Sequence, residues 1–385
     1  MGKNSSSTSK MKVVHMITKL ELGGAQVNTV YTHDHLNESQ FEVYLLSGPG
    51  GILNDRVERK KNFHIIADLI REIRPWRDFR AFLQILKLLK RISPDILHTH
   101  STKAGIIGRI AAFLVRIPVR IHSVHGFSFS PLQPVMKRTI YYLAELVVSV
   151  ITSHFVFVAK ADMRVAKKLG LVRHNYTLIR SGFPLQRFQQ KGSDADKTKE
   201  TYGIGPGKVV CGVVAPFKPQ KGLFHLIDVA ARVIRQDERA VFFLAGDGEL
   251  RPALERELHR RGIVENFRLP GFLFDLERIM DIFDIGVTTA LWEGLPQSLV
   301  QMRLKKIPIV ASDIPGNREV IKQKKNGFLA DVRDHDSLAG HILLLMDQPQ
   351  VRLEMGDYPD DFSSWEASYM VQRQEKLYRR LLNVW

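Results

Sequence analysis

Short runs of apolar, often β-branched residues alternate with amphipathic stretches along the chain. In the first half, five such runs are nearly continuous, which is typical of strands buried on both faces of a sheet. Alternation of strand and helix predicts right-handed βαβ crossovers and a parallel sheet. The predicted strands lie at 12–17, 41–46, 95–100, 119–124 and 154–159, and the helical patterns lie near 25–36, 77–91, 104–115 and 135–150.

A polar stretch, 186–207, interrupts the alternation and carries no strand pattern. The pattern therefore predicts two α/β domains, over 11–185 and 208–357, with 186–207 as a linker and an amphipathic helix in the segment 358–385. In the second domain the strands are predicted at 208–215, 240–246, 284–290 and 307–312, and the helices at 222–235, 249–261, 296–306 and 335–347.

The most apolar stretch, 139–159, contains Glu145 and His154. It lacks the run of about 18 apolar residues that a membrane-spanning helix requires, so we predict a buried helix followed by a buried strand. Residues 1–10 are polar and Ser-rich, and we expect a flexible tail. The opening Met-Gly-Lys-Asn-Ser-Ser matches the N-myristoylation pattern, which we attribute to chance.

Charge and cysteine content narrow the partners and the compartment. The 385 residues include 56 Lys and Arg against 40 Asp and Glu, a net charge of +16. Such a chain favours anionic partners: nucleic acid, acidic lipid or phosphorylated small molecules. No nucleic-acid-binding motif accompanies the basic residues, so we expect no nucleic-acid partner. The single cysteine, Cys211, cannot form an intrachain disulfide, which indicates a reducing compartment such as the cytoplasm.

Residues 71–91 contain seven Lys or Arg and two acidic residues, interleaved with large apolar side chains. Basic amphipathic helices of this kind lie on anionic bilayers. An ordinary domain helix with a solvated basic face fits the same pattern. Our hypothesis is a protein peripheral to the inner membrane leaflet. The apolar residues are Trp76, Phe79, Phe82, Leu83, Leu86 and Leu89.

Two turns after predicted strands of the first domain could bind a ligand, because parallel α/β sheets do so at the carboxyl ends of their strands. Gly23 and Gly24 follow the first strand, where backbone amides and a helix dipole favour an anion. His125 ends strand 119–124, and a neutral imidazole there can accept a proton or bind a hydroxyl. A packed core histidine fits His125 as well, and likewise His98 and His100. Three histidines without a nearby carboxylate or thiol make a poor metal site.

Two turns of the second domain carry stronger signals. Lys218 and Lys221 stand where a helix begins and could neutralise a diphosphate, although two solvated lysines on a basic protein fit equally well. Glu293 follows a strand, and Pro296 suits the first position of a helix. Free amides at 295–299 could then bind an anion while Glu293 reaches a hydroxyl beside it.

Seven motifs follow one another along the chain: the glycine pair, VHGF (124–127), QKG (220–222), AGDGELR (245–251), EGLP (293–296), PIVASDIPGNREVI (308–321) and NGFLA (326–330). In their order and spacing, these motifs resemble the family-4 (group 1) glycosyltransferases of the GT-B fold. The resemblance implies two Rossmann-like domains, with the nucleotide-sugar bound by the C-terminal domain and the acceptor by the N-terminal one. It also implies that the final helix crosses back to pack on the N-terminal domain.

The resemblance also implies roles for single residues. Gly23 and Gly24 match the family's glycine loop near the donor phosphates and the acceptor, and His125 matches its active-site histidine. Lys221 matches the diphosphate lysine. The Glu-x7-Glu motif falls on Glu293, beside the donor sugar hydroxyls, and on position 301, beside the ribose. Contacts to sugar and phosphate are implied for Gly294, Leu295, Pro296, Ser298 and Leu299.

The sequence departs from the family pattern at two positions. The second glutamate is Gln301, which keeps one carbonyl acceptor but loses the charge. We expect weaker ribose binding, by about 1–2 kcal/mol. The usual arginine of the lysine loop is Pro216, and Lys218 can supply its charge without a bidentate fork.

The implied reaction is retaining transfer of a hexosyl group from a nucleotide-sugar, UDP- or GDP-linked, to a hydroxyl acceptor in polysaccharide or glycolipid synthesis. A glycan or lipid-linked acceptor is expected, with no metal and no further cofactor. The D-x-D triplet Asp194–Asp196 lies in the predicted linker and is expected to be solvated. A GT-B nucleotide-sugar epimerase and a catalytically weak nucleotide-sugar-binding subunit, which Gln301 and Pro216 suggest, are the alternatives.

Overall fold

The computed structural model describes residues 10–127, 129, 134–190 and 194–383. The chain forms two compact units, one up to Phe183 together with Ser364 onward, the other from Pro184 to Ser363. The predicted flexible tail and its myristoylation match, apart from residue 10, lie outside the described residues, as do 191–193 of the predicted linker.

The first unit is built on a parallel sheet of seven strands in the order β3-β2-β1-β4-β5-β6-β7. Its strands are β1 (Met11–Ile17), β2 (Phe41–Ser47), β3 (Phe63–Ile65), β4 (Ile96–His100), β5 (Val119–Val124), β6 (His154–Phe157) and β7 (Tyr176–Leu178). Its helices up to Phe183 are α1 (Gly24–His35), α2 (Pro75–Ile92), α3 (Thr102–Leu114), α4 (Val135–Ser149) and α5 (Lys160–Lys168).

The second unit contains a parallel sheet of six strands in the order β10-β9-β8-β11-β12-β13. Its strands are β8 (Val209–Val214), β9 (Ala240–Ala245), β10 (Phe267–Gly271), β11 (Ile285–Thr288), β12 (Ile309–Ser312) and β13 (Gly327–Ala330). Its helices are α6 (Leu185–Gln189), α7 (Ala195–Thr201), α8 (Leu223–Gln236), α9 (Arg251–Arg261), α10 (Leu276–Ile279), α11 (Gln297–Leu304), α12 (His335–Asp347) and α13 (Pro349–Gly356).

The predicted linker holds two short helices and lies within the second unit rather than between the two units. Helix α6 contacts α11, and Lys305 donates to the carbonyl of Gln190 at 2.6 Å. Asp194 caps α7 by accepting from the amide of Lys197, and its side chain is more than half exposed. The first aspartate of the D-x-D triplet therefore serves as a helix cap.

The last helix, α14 (Ala367–Leu381), belongs to the first unit, as the resemblance implied. Its apolar side chains Met370, Val371 and Leu377 join a core cluster under the sheet that includes Val13 and Ile121. This packing gives the amphipathic pattern of the C-terminal segment its buried face.

Helix α4 corrects the prediction of a buried helix over 139–149, whereas β6 is buried as expected. Met136, Ile140 and Val147 are 77%, 58% and 71% exposed, so one apolar face of α4 is open. Glu145 is buried nonetheless, and its charge is compensated by an ion pair with Arg109. Within the described residues, no helix is long and apolar enough to cross a membrane.

The buried ion pair fixes α3 to α4. The guanidinium of Arg109 is completely buried and donates to Glu145 Oε2 at 2.8 Å, to the hydroxyl of Thr152 at 2.9 Å and to the carbonyl of Gly105 at 2.8 Å. Burial lowers the pKa of Arg109, and the Glu145 carboxylate opposes that shift. Removing one partner of such a pair leaves an uncompensated buried charge.

We therefore expect Glu145→Gln to lower the free energy of unfolding of the first unit by about 3 kcal/mol. The matched control is Glu38→Gln, which removes a carboxylate that is 71% exposed and paired with Arg59. That change should cost less than about 1 kcal/mol. Urea denaturation of the two variants measures the difference, and equal effects would contradict a structural role for the buried pair.

Candidate functional site

Three loops of the second unit follow β8, β11 and β12, which are neighbours in its sheet, so the loops share the carboxyl edge. Two of them are bonded to each other through the backbone. The amide of Leu291 donates to the carbonyl of Gln220 at 2.8 Å, and the Gln220 side chain donates to the carbonyl of Trp292 at 2.8 Å. The loops predicted to hold a ligand thus form one connected frame.

Within this frame, the Lys221 ammonium forms an ion pair with the Glu293 carboxylate. The two side chains are 17% and 12% exposed, so both charges are largely withdrawn from water. The structure brings these two predicted site residues into direct contact although 72 positions separate them. A cation and a carboxylate side by side can bind an anion and a hydroxyl in adjacent positions.

Two glycines allow the loops to approach this closely. Gly222 adopts a left-handed conformation with φ +59°, and a Cβ there would lie 2.1 Å from the carbonyl oxygen of Thr289. The hydroxyl of Thr289 donates to the Gly222 carbonyl at 3.0 Å, which closes the contact. A Cβ on Gly316, in the loop after β12, would lie 2.7 Å from the Glu293 carbonyl oxygen.

The start of α11 differs in detail from the prediction. Pro296 is the residue before the helix, not its first helical residue. The amide of Leu299 donates to the Pro296 carbonyl at 3.1 Å and the Leu299 side chain is buried in the core, so Leu299 does not offer a free amide. Gly294 is buried, and Leu295 and Ser298 are half-buried. With the Leu299 amide excluded, the amides that could bind an anion are those that precede Leu299.

The remaining predicted residues of this unit lie at the same edge. Lys218 is half-buried and directly precedes the 3₁₀ turn Pro219–Lys221. Its amide donates to the Pro216 carbonyl at 2.8 Å. Gln301 lies on α11, half-buried, and its side-chain amide makes no hydrogen bond to any residue that the structure describes.

Two buried polar atoms near these loops were missed by sequence reasoning. Gln297 Nε2 and Asn317 Oδ1 have no hydrogen-bond partner among the described residues. Asn317 does donate from its amide nitrogen to the Ser312 carbonyl at 2.8 Å, which fixes its orientation. Buried polar atoms left open in this way are usually satisfied by a ligand or by water.

In the first unit, His125 follows β5 and is half-buried. Burial lowers the pKa of His125 to about 4, so its imidazole is neutral at pH 7. Its Nε2 lies 3.3 Å from Nδ1 of His100. One ring nitrogen of His125 is therefore hydrogen-bonded to a buried residue, as expected for a packed core histidine. The other nitrogen, Nδ1, has no hydrogen bond to any described residue.

Behind His125 lies a cluster of buried rings contributed by β1, β4 and α14. His100 Nε2 lies 2.9 Å from His15 Nδ1, and His15 Nε2 lies 3.4 Å from the Tyr378 hydroxyl. The same hydroxyl lies 2.6 Å from His98 Nδ1. Burial lowers the pKa of all three histidines, that of His15 to about 3, and the rings are neutral.

Helix α1 supplies a polar residue that was not predicted. Gly23 precedes α1 in extended conformation and Gly24 is its first, exposed residue. One turn later, Asn28 is 4% exposed and neither amide atom has a partner among the described residues. Asn28 lines a small cavity together with His125 and Gln374. Its place one turn after the glycine pair was the available signal.

Among the residues that the structure describes, two groups of side chains have the composition of a metal site. His15, His98 and His100 form one, but their nitrogens are engaged in the hydrogen bonds just described, apart from His98 Nε2, which bonds to Ser123. His225, Asp228 and His335 form the other, on the second unit, where Arg261 donates to Asp228 at 2.6 Å. A guanidinium on a carboxylate competes with a cation there.

The predicted site residues therefore fall into two sets. Gly23, Gly24 and His125 belong to the first unit. The second unit holds Lys218, Lys221, Glu293, Gly294, Leu295, Pro296, Ser298, Leu299 and Gln301.

Comparison with known sequences gives matches along most of the chain. Residues 22–187 match the family described as Glycosyltransferase Family 4, and residues 194–360 match that described as Glycosyl transferases group 1. An Escherichia coli UDP-Gal:alpha-D-GlcNAc-diphosphoundecaprenol alpha-1,3-galactosyltransferase is 28% identical over 346 residues, 89% of each chain. An N,N'-diacetylbacillosaminyl-diphospho-undecaprenol alpha-1,3-N-acetylgalactosaminyltransferase of Campylobacter jejuni is 24% identical, over 80% of this chain and 83% of that protein.

Among solved structures, Anabaena HepE in complex with UDP and glucose superimposes with a TM-score of 0.84. The match covers 96% of this chain and all of that one at 18% identity. A sucrose-phosphate synthase of Thermosynechococcus elongatus gives a TM-score of 0.80 at 14% identity, over 97% and 100% of the two chains. These likenesses establish the fold as GT-B.

The close approach of the loops predicts a specific sensitivity at Gly222. We expect Gly222→Ala to destabilise the second unit by more than about 2 kcal/mol, because left-handed strain of about 1–2 kcal/mol adds to the clash with Thr289. The control is Gly262→Ala, which has φ +68° and open space around its Cβ, and which should show the strain alone. Thermal melting compares them, and equal losses would show that the loops are not in tight contact.

Proposed function

Since this chain belongs to the group 1 glycosyltransferases, we propose that it transfers a hexosyl group from a UDP-hexose to a hydroxyl of a lipid-diphosphate-linked saccharide, with retention of anomeric configuration. The Lys221–Glu293 pair in its loop frame carries the proposal. UDP is supported by its presence in the name of the E. coli relative and in the HepE complexes. Diphosphoundecaprenol acceptors are named for both relatives described above, and both are named for alpha linkages.

The chemistry of the site residues suits the departure of a nucleoside diphosphate. As the bond between sugar and phosphate breaks, negative charge grows on the phosphate. Lys221, Lys218 and the amides at the start of α11 would stabilise that charge. The diphosphate competes with Glu293 for the Lys221 ammonium. The carboxylate released in this way can accept hydrogen bonds from the sugar hydroxyls and orient the oxocarbenium-like centre.

The proton of the acceptor hydroxyl goes to an oxygen of the leaving phosphate, and His125 positions the incoming group. In this scheme the lysine side chains stabilise the negative charge on the leaving phosphate, so we propose a reaction that needs no metal. Full turnover in excess chelator is the expected result. The epimerase alternative is not favoured, since both relatives described above are named as transferases.

Glu293→Ala should abolish transfer while the protein stays folded, because the sugar loses its orienting carboxylate. The assay measures release of UDP and labelled product from UDP-hexose with membrane extract as acceptor. The control is Glu265→Ala, an exposed glutamate of the same unit. Normal turnover by folded Glu293→Ala would remove Glu293 from the site, and conversion of donor without any acceptor would favour an epimerase.

Gln301→Glu should tighten binding of UDP-hexose by about 5- to 30-fold, the equivalent of 1–2 kcal/mol, because it restores a charged acceptor for the ribose hydroxyls. Calorimetric titration measures the change, with Gln350→Glu on α13 as control. Unchanged or weaker binding would contradict the place given to Gln301. Strong binding with no transfer to any acceptor would support the weak-subunit alternative.

We also propose that an apolar surface of the first unit docks on the anionic membrane that holds such an acceptor. Helix α3 contacts both α2 and α4. The surface, here the α2–α4 face, consists of exposed apolar residues. They are Ile73 before α2, Trp76, Phe79 and Leu83 of α2, Phe113 and Leu114 of α3, and Met136, Ile140, Leu143 and Val147 of α4. Basic side chains accompany it, with Arg77 and Arg80 42% and 56% exposed. Apolar side chains beside cations fit the interface of an anionic bilayer.

The docking proposal predicts that the protein floats with vesicles containing anionic phospholipid and floats less with purely zwitterionic ones. Trp76→Ser combined with Met136→Ser should reduce flotation at least fivefold. Phe224→Ser, which removes an exposed phenylalanine of the second unit, should leave it unchanged. Equal flotation on both vesicle types, or no effect of the double change, would count against the α2–α4 face.

A further inference from the structure

His125 is connected to the interior by a series of hydrogen bonds between side-chain rings. The structure determines which ring donates and which accepts in each of these bonds. A neutral imidazole carries one N–H and one bare nitrogen, so in a line of such rings each donates to one side and accepts from the other. His125, His100 and His15 are joined in this way, nitrogen to nitrogen, and the line ends on the hydroxyl of Tyr378. The direction of one bond therefore sets the direction of all.

The direction is set at the Tyr378 end by Gln374, one turn earlier on α14. The side-chain carbonyl Oε1 of Gln374 lies 3.1 Å from the Tyr378 hydroxyl. Its amide nitrogen is turned toward the hydroxyl of Thr32, at 3.4 Å. A carbonyl oxygen only accepts, so the single proton of Tyr378 is donated to Gln374.

The Tyr378 oxygen must then accept from both histidines that reach it. His15 donates through Nε2–H, which leaves His15 Nδ1 bare to accept from Nε2–H of His100. His100 Nδ1 is bare in turn and accepts from Nε2–H of His125. His98 fits the same scheme, since it donates to Tyr378 through Nδ1–H and its bare Nε2 accepts from the Ser123 hydroxyl at 2.7 Å.

We propose that Gln374 and Tyr378 are positioning residues that hold His125 as the Nε2–H tautomer, with Nδ1 bare as a hydrogen-bond acceptor for a hydroxyl of the substrate. The lowered pKa values of the buried histidines agree with neutral rings throughout. Only the identity of the hydroxyl rests on the proposed function. The tautomer is a property of the unliganded chain and can be measured whether or not transfer occurs.

Nitrogen-15 NMR of the full chain, labelled on histidine, tests the proposal at pH 7.5. The signals of His125 are assigned among the 14 histidines by their loss in His125→Gln. In the parent protein, Nε2 should give the shift of a protonated nitrogen and Nδ1 that of a bare one. A protonated Nδ1 in the parent protein would overturn the proposal.

Gln374→Met removes the carbonyl that accepts the proton of Tyr378 and keeps a side chain of similar volume. The Tyr378 hydroxyl can then donate to a histidine instead. The His125 signals should then shift toward a mixture of tautomers, and Tyr378→Phe should do the same. Tyr44→Phe, which removes a hydroxyl bonded to Glu42 in the same unit, should leave them unchanged. A pure Nε2–H form in a folded Gln374→Met protein would show that Gln374 does not set the tautomer.

Discussion

The ion pair between Lys221 and Glu293 is the interaction on which the proposed site depends, and it exists because two loops meet without a side chain between them. Gly222 and Gly316 leave the space in which the loops after β8, β11 and β12 touch. Both charges are largely withdrawn from bulk water. An unpaired charge in such a place would be costly, so each charge stabilises the other. In the proposed function, a diphosphate would take the place of the carboxylate beside the lysine.

The polar interior of the first unit, in contrast, is built around neutral histidine side chains. Its buried histidines are kept uncharged by burial and are ordered by hydrogen bonds rather than by ion pairs. The final helix, α14, contributes both core side chains and the polar pair Gln374 and Tyr378. The return of the chain to the first unit therefore supplies part of the polar interior behind His125 as well as apolar packing.

Much of the fold followed from periodicity, because buried strands such as β8 and β9 are apolar at nearly every position. The edge strands β3, β7, β10 and β13 were missed, since three to five residues with half-exposed positions carry no clear period. Helix α4 was taken for a buried helix because composition reports apolar residues but not which face a neighbour covers. The buried ion pair of Glu145 could not be predicted either, because its partner Arg109 lies on another helix.

The candidate site was predicted where chemistry is local and missed where it depends on contacts distant in sequence. Glu293 and Lys221 were found by their turns and by the resemblance, and the structure joins them. The Leu299 amide was assigned wrongly because the first turn of α11 is tight, so this amide bonds to the Pro296 carbonyl three residues earlier, which the sequence does not show. Asn28, Gln374 and Tyr378 were not identified, because they matter only through partners on other elements.

The most direct test of the account is the binding of UDP to the protein with and without the Lys221 ammonium. Calorimetric titration of UDP into Lys221→Met should show affinity reduced at least tenfold, about 1.4 kcal/mol, relative to the parent protein. Lys325→Met, an exposed lysine at the opposite edge of the same sheet, should bind UDP as the parent does. Undiminished UDP binding by folded Lys221→Met would contradict the claim that this loop frame is the diphosphate site.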